Sequence, residues 1–194
     1  MKLVLNSHGL NTQTGTKQIK ESLEKLGHNS FTDSSILVVS HPDYGIDEMI
    51  VNNLVNSLGF RKENIYLSNA GIPECTPDYI YVTEGNTYEI LYYMQRYGLT
   101  DYIKEIMRSV KPPVYIGSSA GAIIAGTDIK MCSDTNVVGF MDYSGLCLFE
   151  GTIIPHCSRV NLKTYLENTD EHLLNRYKKI YSVGDDEAIT LESI

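Results

Sequence analysis

The stretch VYIGSSAGAIIAG, residues 114–126, passes from one apolar run to another through a cluster of very small residues. Its first residues are typical of a buried strand, and its last residues favour a helix. Between them, Gly117 and Gly121 flank Ser119 in a G-x-S-x-G pattern. In a tight strand-to-helix turn this pattern lifts the central side chain clear of the sheet, while the glycines prevent clashes with the strained backbone. The stretch therefore predicts such a turn, with Ser119 at its apex.

On both sides of this turn, short β-rich runs alternate with segments of helical periodicity. The sequence predicts strands at residues 2–5, 35–39, 64–67, 79–82, 114–116, 152–154, 180–183 and 188–191. It predicts helices at residues 16–26, 47–58, from 86, 101–110, from about 119, and through most of 160–178. This alternation indicates a doubly wound α/β fold, a mostly parallel sheet with helices on both faces. A length of 194 residues suits a single domain over residues 1–194.

Charge, apolar runs and cysteine spacing indicate which binding partners and which cellular compartment to expect. The formal net charge of -8 argues against non-specific nucleic-acid binding, which depends on basic patches. The first residues, MKLVLNSHGL, contain an apolar run too short for a signal sequence or a membrane span, so we expect a cytoplasmic protein with no membrane partner. The four cysteines have no CxxC or zinc-site spacing, which favours free thiols. We expect no metal and no cofactor.

Three clusters of polar or small residues lie at predicted strand ends, at residues 84–86, 118–119 and 155–156. The carboxyl ends of strands in open α/β sheets are where ligands bind. Ser119 is therefore a candidate nucleophile, and the Ala120 N–H group is a candidate oxyanion donor. Gly85 and Asn86 are candidates for a second donor. The alternative is a small-residue turn that only packs a helix closely against the sheet.

A nucleophilic serine needs a base and a carboxylate that orients the base. We favour His156 as the base, because it follows a strand ended by Pro155 and lies downstream of the serine; His41 is the second choice. Position alone does not distinguish the carboxylates Asp128, Asp134, Asp142 and Glu192.

The motifs GSSAGA around Ser119, EGNT at residues 84–87 and IIPH ending at His156 resemble the peptidase E (aspartyl dipeptidase) family, whose relatives include the cyanophycinases. The resemblance implies a class I glutamine amidotransferase-like α/β fold and a serine peptidase that removes N-terminal aspartate from dipeptides. It implies Ser119 as nucleophile, His156 as base and Asp134 as the third member. It also implies oxyanion donors at Ala120 and at Gly85 or Asn86.

One further residue is a candidate for substrate recognition, and one residue differs from the family pattern. An aspartate side chain needs a cation, and Arg159 is our candidate; the alternative is a solvent-facing arginine at the start of a helix. Glu84 stands where many relatives have glycine. The predicted partners are a small peptide substrate and a second copy of the chain in a homodimer. The alternative function is a catalytically idle binding or regulatory module that keeps the fold.

Overall fold

The computed structural model describes residues 1–192, which form a six-stranded sheet and a separate two-stranded sheet. The larger sheet contains β1 (Lys2–Asn6), β2 (Ile36–Val39), β3 (Ile65–Leu67), β4 (Tyr79–Val82), β5 (Val114–Ser118) and β8 (Ala188–Glu192). Its strand order is β3-β2-β4-β5-β1-β8, and β8 alone is antiparallel to its neighbour. The smaller sheet pairs β6 (Thr152–Pro155) with β7 (Ile180–Val183) in parallel. The predicted α/β class with a mostly parallel sheet is confirmed.

Helices pack on both faces of the larger sheet. The described helices are α1 (Gln13–Lys25), α2 (Asp47–Asn53), α3 (Thr87–Arg96), α4 (Leu99–Met107), α5 (Ala120–Ile124), α6 (Arg159–Glu167) and α7 (Glu171–Leu174). A π-helical turn, Leu54–Leu58, continues α2. Apolar residues of α1 and α2 join one core cluster, and those of α3, α4 and α5 join another.

Neighbouring residues of the strands contribute to opposite faces of the sheet. In β1, Leu3 and Leu5 belong to the cluster beneath α3, α4 and α5, whereas Val4 belongs to the cluster beneath α1 and α2. All three side chains are almost completely buried. This is why the central strands are continuous apolar runs rather than alternating ones: successive side chains alternate between two faces that are both covered.

The predicted and observed elements differ most in the region after β6. Residues 160–178 are mostly helical, as predicted, but the chain forms two short helices, α6 and α7, with a break between them. The Asp170 side chain accepts hydrogen bonds from the N–H groups of His172 and Leu173 and thereby caps a new helix start. Every predicted strand is present, with bounds within two residues of those expected.

The sheet brings the ends of distant segments to one edge. In the register of the sheet, Asn6 at the end of β1 is opposite Ser118 at the end of β5, and Val82 of β4 is opposite Gly117. In the small sheet, Pro155 is opposite Val183. The loops after these strands therefore converge. No helix among residues 1–192 is long and apolar enough to cross a membrane.

Candidate active site

Ser119 occupies a sharp turn between β5 and α5. Its backbone angles, φ 47° and ψ −106°, lie outside the regions that non-glycine residues normally adopt. Its N–H group donates to the Asn6 carbonyl at 2.9 Å, which ties the turn to the end of β1. A Cβ atom at Gly121 would overlap the Val82 carbonyl, and one at Gly117 would lie 2.6 Å from the Gly121 oxygen. The two glycines are required because the turn packs directly against neighbouring backbone.

His156 follows β6 directly and also has a positive φ, of 57°. Its N–H group donates to Ser7 Oγ at 2.9 Å, and Ser7 Oγ in turn donates to the Val183 carbonyl at 3.0 Å. The next residue, Cys157, donates its N–H to the same carbonyl at 3.1 Å. The loop that carries the imidazole is thus fixed to the ends of both β1 and β7.

Ser119, His156 and Asp185 form a continuous chain of polar contacts. Ser119 Oγ lies 3.2 Å from His156 Nε2, and Asp185 Oδ1 lies 2.6 Å from His156 Nδ1. With the ring proton on Nδ1 and donated to Asp185, the lone pair of Nε2 faces the serine hydroxyl. This is the arrangement in which an imidazole can remove a proton from a serine.

Asp185, rather than Asp134, lies against His156. Asp185 belongs to the turn between β7 and β8, whereas Asp134 is bound at the start of α3. Asp134 Oδ2 accepts hydrogen bonds from the N–H of Thr87 at 2.8 Å and from its hydroxyl at 2.6 Å. Within residues 1–192 we find no hydrogen bond between Asp134 and His156. The expected position of Asp134 is therefore corrected: the N–H group and the hydroxyl of Thr87, at the start of α3, bind its carboxylate instead.

The other candidate carboxylates also lie elsewhere. Asp128 is buried, accepts from the Tyr177 hydroxyl and lies 3.3 Å from an Arg176 guanidinium nitrogen. Asp142 accepts from the Gln95 amide. Glu192 is opposite Lys2, the first residue of β1, so it lies at the end of the strands away from Ser119.

Two of the three expected oxyanion donors are available. Among residues 1–192, no acceptor is found for the N–H groups of Ala120 and Gly85. The Asn86 N–H group instead donates to the Tyr44 hydroxyl at 2.9 Å. Asn86 also caps α3, since its Oδ1 accepts from the N–H groups of Tyr88 and Glu89. Asn86 is therefore a helix-capping residue, and Ala120 and Gly85 stay the candidates for oxyanion donors.

Tyr44 explains why residue 85 is a glycine. Gly85 has φ 137°, and a Cβ atom at this position would overlap the ring of Tyr44. The Tyr44 hydroxyl both accepts from Asn86 and donates to Glu89 at 2.9 Å. The tyrosine ring thus holds the turn after β4 in place next to the Ser119 turn.

A cleft of about 760 Å³ opens beside Ser119 and His156. Its walls come from the segment at residues 131–134, from the end of β6 and from α6. The lining side chains are mainly apolar or neutral: Ile123, Met131, Cys132, Ser133, Ile154, Pro155, Cys157, Asn161, Thr164, Tyr165, Asn168 and Thr169, together with Asp134. No lysine or arginine lines it within the described chain. Arg159 lies at the exposed first residue of α6 and does not line the cleft.

Two groups near the site have raised pKa values because they are buried. Burial raises the pKa of the Cys157 thiol, so the thiol beside His156 is held in its neutral, weakly nucleophilic form. Burial also raises the pKa of Glu84, against the opposing effects of its own backbone, of the Tyr81 hydroxyl and of His8 and His156. Glu84 thus places a carboxyl group near His8 and His156.

The remaining histidine candidates lie at different distances from this chain of contacts. His8 Nε2 lies 3.6 Å from Asp185 Oδ1, and the rings of His8 and His156 meet edge to face with centroids 5.5 Å apart. His41, the second choice as base, instead accepts from the N–H of Asp43 at the start of a 3-10 turn.

Asp185 was missed in the sequence because the segment Gly184-Asp185-Asp186 is also an ordinary turn between two strands. Asp185 does carry the signal that marks the other site residues, which is a position just after the carboxyl end of a parallel strand. Pairing of β7 with β6 places that end beside His156, and this pairing is not visible in the sequence.

Comparisons with known proteins identify the family of this chain. The model of peptidase family S51 matches residues 47–193. An uncharacterized peptidase of Listeria monocytogenes is 30% identical over 144 residues, which are 70% of this chain and 69% of that protein. Peptidase E of Shewanella amazonensis is 35% identical over 79 residues, 41% of this chain and 33% of the Shewanella protein.

Solved structures show the same fold. A Listeria monocytogenes EGD-e protein assigned to peptidase E superposes with a TM-score of 0.66 at 23% identity, covering 98% of this chain and 93% of that chain. A peptidase from an acI-B1 Actinobacterium superposes with a TM-score of 0.55 at 13% identity, covering 98% and 83%. Together, the family match, the relatives and the fold show that this chain belongs to peptidase family S51 and is a peptidase of the serine type.

Proposed function

We propose that this protein hydrolyses short peptides through an acyl-enzyme formed on Ser119, with His156 as general base and acid and Asp185 as the group that orients His156. The observation that carries the proposal is the contact chain from Ser119 Oγ to His156 Nε2, and from His156 Nδ1 to Asp185 Oδ1. The expected role of Asp134 as the third member is replaced by Asp185 in this proposal.

The reaction follows from the proton positions. His156 Nε2 accepts the Ser119 proton as Oγ attacks the peptide carbonyl carbon, and the resulting imidazolium is stabilised by Asp185. The C–N bond then breaks while His156 gives the proton to the leaving amine. A water molecule, deprotonated by the same nitrogen, attacks the ester and releases the acid, which restores the serine hydroxyl.

The strained turn has a clear use in this scheme. The Ala120 N–H follows the nucleophile directly, and Gly85 approaches from the neighbouring turn after β4. Both could donate to the negative oxygen of the tetrahedral intermediate. Removal of one such donor typically lowers kcat by about 100- to 1000-fold.

We assign Asp134 a different role, as the ligand of the substrate's free amino group. It lines the same cleft as Ser119 and His156, and its Oδ2 is held by Thr87 next to the turn at residues 85–86. Among residues 1–192, no donor to its Oδ1 is found, so that oxygen is available to a ligand. An α-ammonium group lies one carbon atom from the scissile carbonyl, which suits a carboxylate beside the oxyanion donors. Asp134 would make the enzyme an exopeptidase for free amino termini.

The preference for N-terminal aspartate remains a prediction of the family resemblance. An aspartate side chain would need a cation, and the lining of the cleft has none. Arg159 stays our candidate because it lies on α6, which supplies Asn161, Thr164 and Tyr165 to the cleft wall. It makes no ion pair within the described residues, so its side chain is available to swing toward the cleft.

A dipeptide panel tests the proposal. We expect the wild-type protein to release amino acids from Asp-Leu, Ala-Leu and Lys-Leu at rates that rank its specificity, and to cleave N-acetylated counterparts poorly. Ser119→Ala should reduce kcat by at least ~10⁴-fold. A fluorophosphonate probe should label wild type on the peptide containing Ser119, because only an activated serine reacts.

The matched control is Ser133→Ala, which removes an exposed serine hydroxyl from the lining of the same cleft. It should keep wild-type turnover and labelling. Equal hydrolysis by wild type and Ser119→Ala would refute the proposal. For aspartate recognition, Arg159→Ala should raise KM for Asp-Leu and leave KM for Ala-Leu unchanged; an equal effect on both would exclude that role.

A further inference from the structure

We infer that His8, His156 and Asp185 form an inhibitory binding site for a divalent transition-metal ion of the Zn²⁺ type. This inference goes beyond the proposed peptidase function and does not depend on it, because metal binding is measurable without substrate. The sequence predicted no metal, since the three residues come from loops after β1, β6 and β7 and share no motif spacing.

Geometry places the three potential ligand atoms together. One nitrogen of each histidine and one oxygen of the carboxylate all lie within 4.8 Å of one another. His156 Nδ1 and Asp185 Oδ1 are 2.6 Å apart, and His8 Nε2 and Asp185 Oδ1 are 3.6 Å apart. In a tetrahedral zinc site with bonds of about 2.0–2.1 Å, neighbouring ligand atoms are about 3.3 Å apart. Shifts of roughly 1 Å or somewhat more in these side chains would therefore produce the site.

The surroundings allow such shifts and leave room for a fourth ligand. The side chains of His8, His156 and Asp185 are 37%, 47% and 60% exposed. Solvent can thus reach the cluster and supply a water ligand. Two imidazoles and one carboxylate with an open position form a typical donor set for Zn²⁺, whereas Mg²⁺ prefers a set made of oxygen atoms.

Metal binding at this cluster would disable the proposed base. A metal on His156 Nδ1 replaces the proton that this nitrogen donates to Asp185. A neutral imidazole carries a single N–H proton, so this proton moves through solvent from Nδ1 to Nε2, the nitrogen that lies 3.2 Å from Ser119 Oγ. Nε2 can then no longer accept the serine proton. Asp185 becomes a metal ligand at the same time, so the ion interrupts the contact chain at both of its links.

His8 distinguishes this site from the active site alone. It contacts Asp185 and His156, but it does not itself line the cleft. His8→Ala therefore removes one of three protein ligands while leaving the Ser119–His156–Asp185 chain intact. His172→Ala is the matched control, because His172 is an exposed histidine on α7 that belongs to no described metal cluster.

The test is calorimetric titration of the EDTA-treated full chain with ZnCl₂ near pH 7.5, followed by hydrolysis assays at the same zinc concentrations. We expect one zinc ion per wild-type chain, no binding of Mg²⁺, and inhibition that EDTA reverses. His8→Ala should weaken zinc binding at least ~10-fold, since even the loss of an outer-shell partner costs 10- to 100-fold. It should also keep basal hydrolysis and need at least ~10-fold more zinc for the same inhibition.

Three results would overturn the inference: no zinc binding by wild type, unchanged affinity in His8→Ala, or an equal loss of affinity in His172→Ala. If the protein hydrolyses none of the peptides tested, the calorimetric comparison of wild type, His8→Ala and His172→Ala still decides the matter. Failure of the proposed function and failure of the metal site are therefore distinguishable.

Discussion

Ser119 Oγ and His156 Nε2 lie 3.2 Å apart although the two residues are 37 positions apart in the sequence, and each has a positive φ that non-glycine residues rarely adopt. Cys147 is the one other non-glycine residue with positive φ in the described chain. Strained backbone of this kind costs on the order of 1–3 kcal/mol per residue and persists only when the surrounding structure enforces it. Both residues of the contact pair are thus held in place at a cost in stability.

Relief of this strain at Ser119 should be measurable. Ser119→Gly and Ser119→Ala both remove the hydroxyl, but only glycine tolerates φ 47° and ψ −106°. The gain in the folded state is partly offset by the greater freedom of glycine in the unfolded chain. We expect Ser119→Gly to be more stable than Ser119→Ala by about 1 kcal/mol in urea denaturation, with both variants inactive. Equal stabilities would show that the turn is unstrained.

Loss of the Asp185 charge should lower kcat strongly and change substrate binding little. Asp185→Asn removes the charge that stabilises the imidazolium and allows the wrong ring tautomer, so kcat should fall by roughly 100- to 10,000-fold with KM almost unchanged. Steady-state kinetics on the preferred dipeptide measure this. Asp142→Asn, which alters a carboxylate bonded to Gln95 away from the site, is the control and should retain wild-type kcat. A drop in both variants alike would point to a general folding defect.

Substitution of Asp134 should raise KM rather than lower kcat. Asp134→Asn keeps the shape of the side chain and removes the charge that we assign to the substrate ammonium group. KM for free dipeptides should rise by about 10-fold or more, because a charge-assisted hydrogen bond is lost. The slow cleavage of N-acetylated peptides should stay the same, since they carry no ammonium group. Equal losses on both substrate types would contradict this role.

Glu84 should make stability depend on pH. Its folded-state pKa is raised by burial, so the folded protein binds the proton more tightly than the unfolded chain does. The free energy of unfolding therefore falls as the pH rises from the ordinary glutamate value through the raised one, and the full penalty is present above the raised value. Glu84→Gln removes this penalty while keeping an acceptor for the Tyr81 hydroxyl.

The stability advantage of Glu84→Gln over wild type should consequently be smallest near pH 4 and grow toward pH 7.5, as followed by urea denaturation at several pH values. Glu63→Gln, at an exposed glutamate, should show no such trend. A stability difference between Glu84→Gln and wild type that shrinks with rising pH would have the wrong sign and would exclude the explanation.

The fold was largely predictable because its strands are buried on both faces. Continuous apolar runs such as residues 79–82 are visible in the sequence, and so is the glycine pattern around Ser119. The break between α6 and α7 was missed because apolar spacing alone does not reveal a helix stop. The signal was the capping side chain of Asp170. Local capping chemistry decided this boundary against the longer periodicity.

The candidate site also has residues that the local sequence indicates and one that it does not. Ser119 and His156 were predictable because each is marked by its own neighbours, the flanking glycines and Pro155 respectively. Asp185, the carboxylate that contacts His156, has no distinctive neighbours in the sequence. It is brought to His156 by the pairing of β6 with β7 in the small sheet. A resemblance that pointed to Asp134 brought the right residue type into the cleft, but its carboxylate is held by Thr87.

The sheet order has a consequence for synthesis of the protein. β1, the first described strand, pairs along one edge with β8, the last described strand, and the turn leading into β8 carries Asp185. His156 is meanwhile anchored through Ser7 to β7. A nascent chain still missing these final segments has the serine but not its full proton relay. Proteolytic activity should therefore appear only after the segment from Asp185 through β8 has been made and has paired with β1.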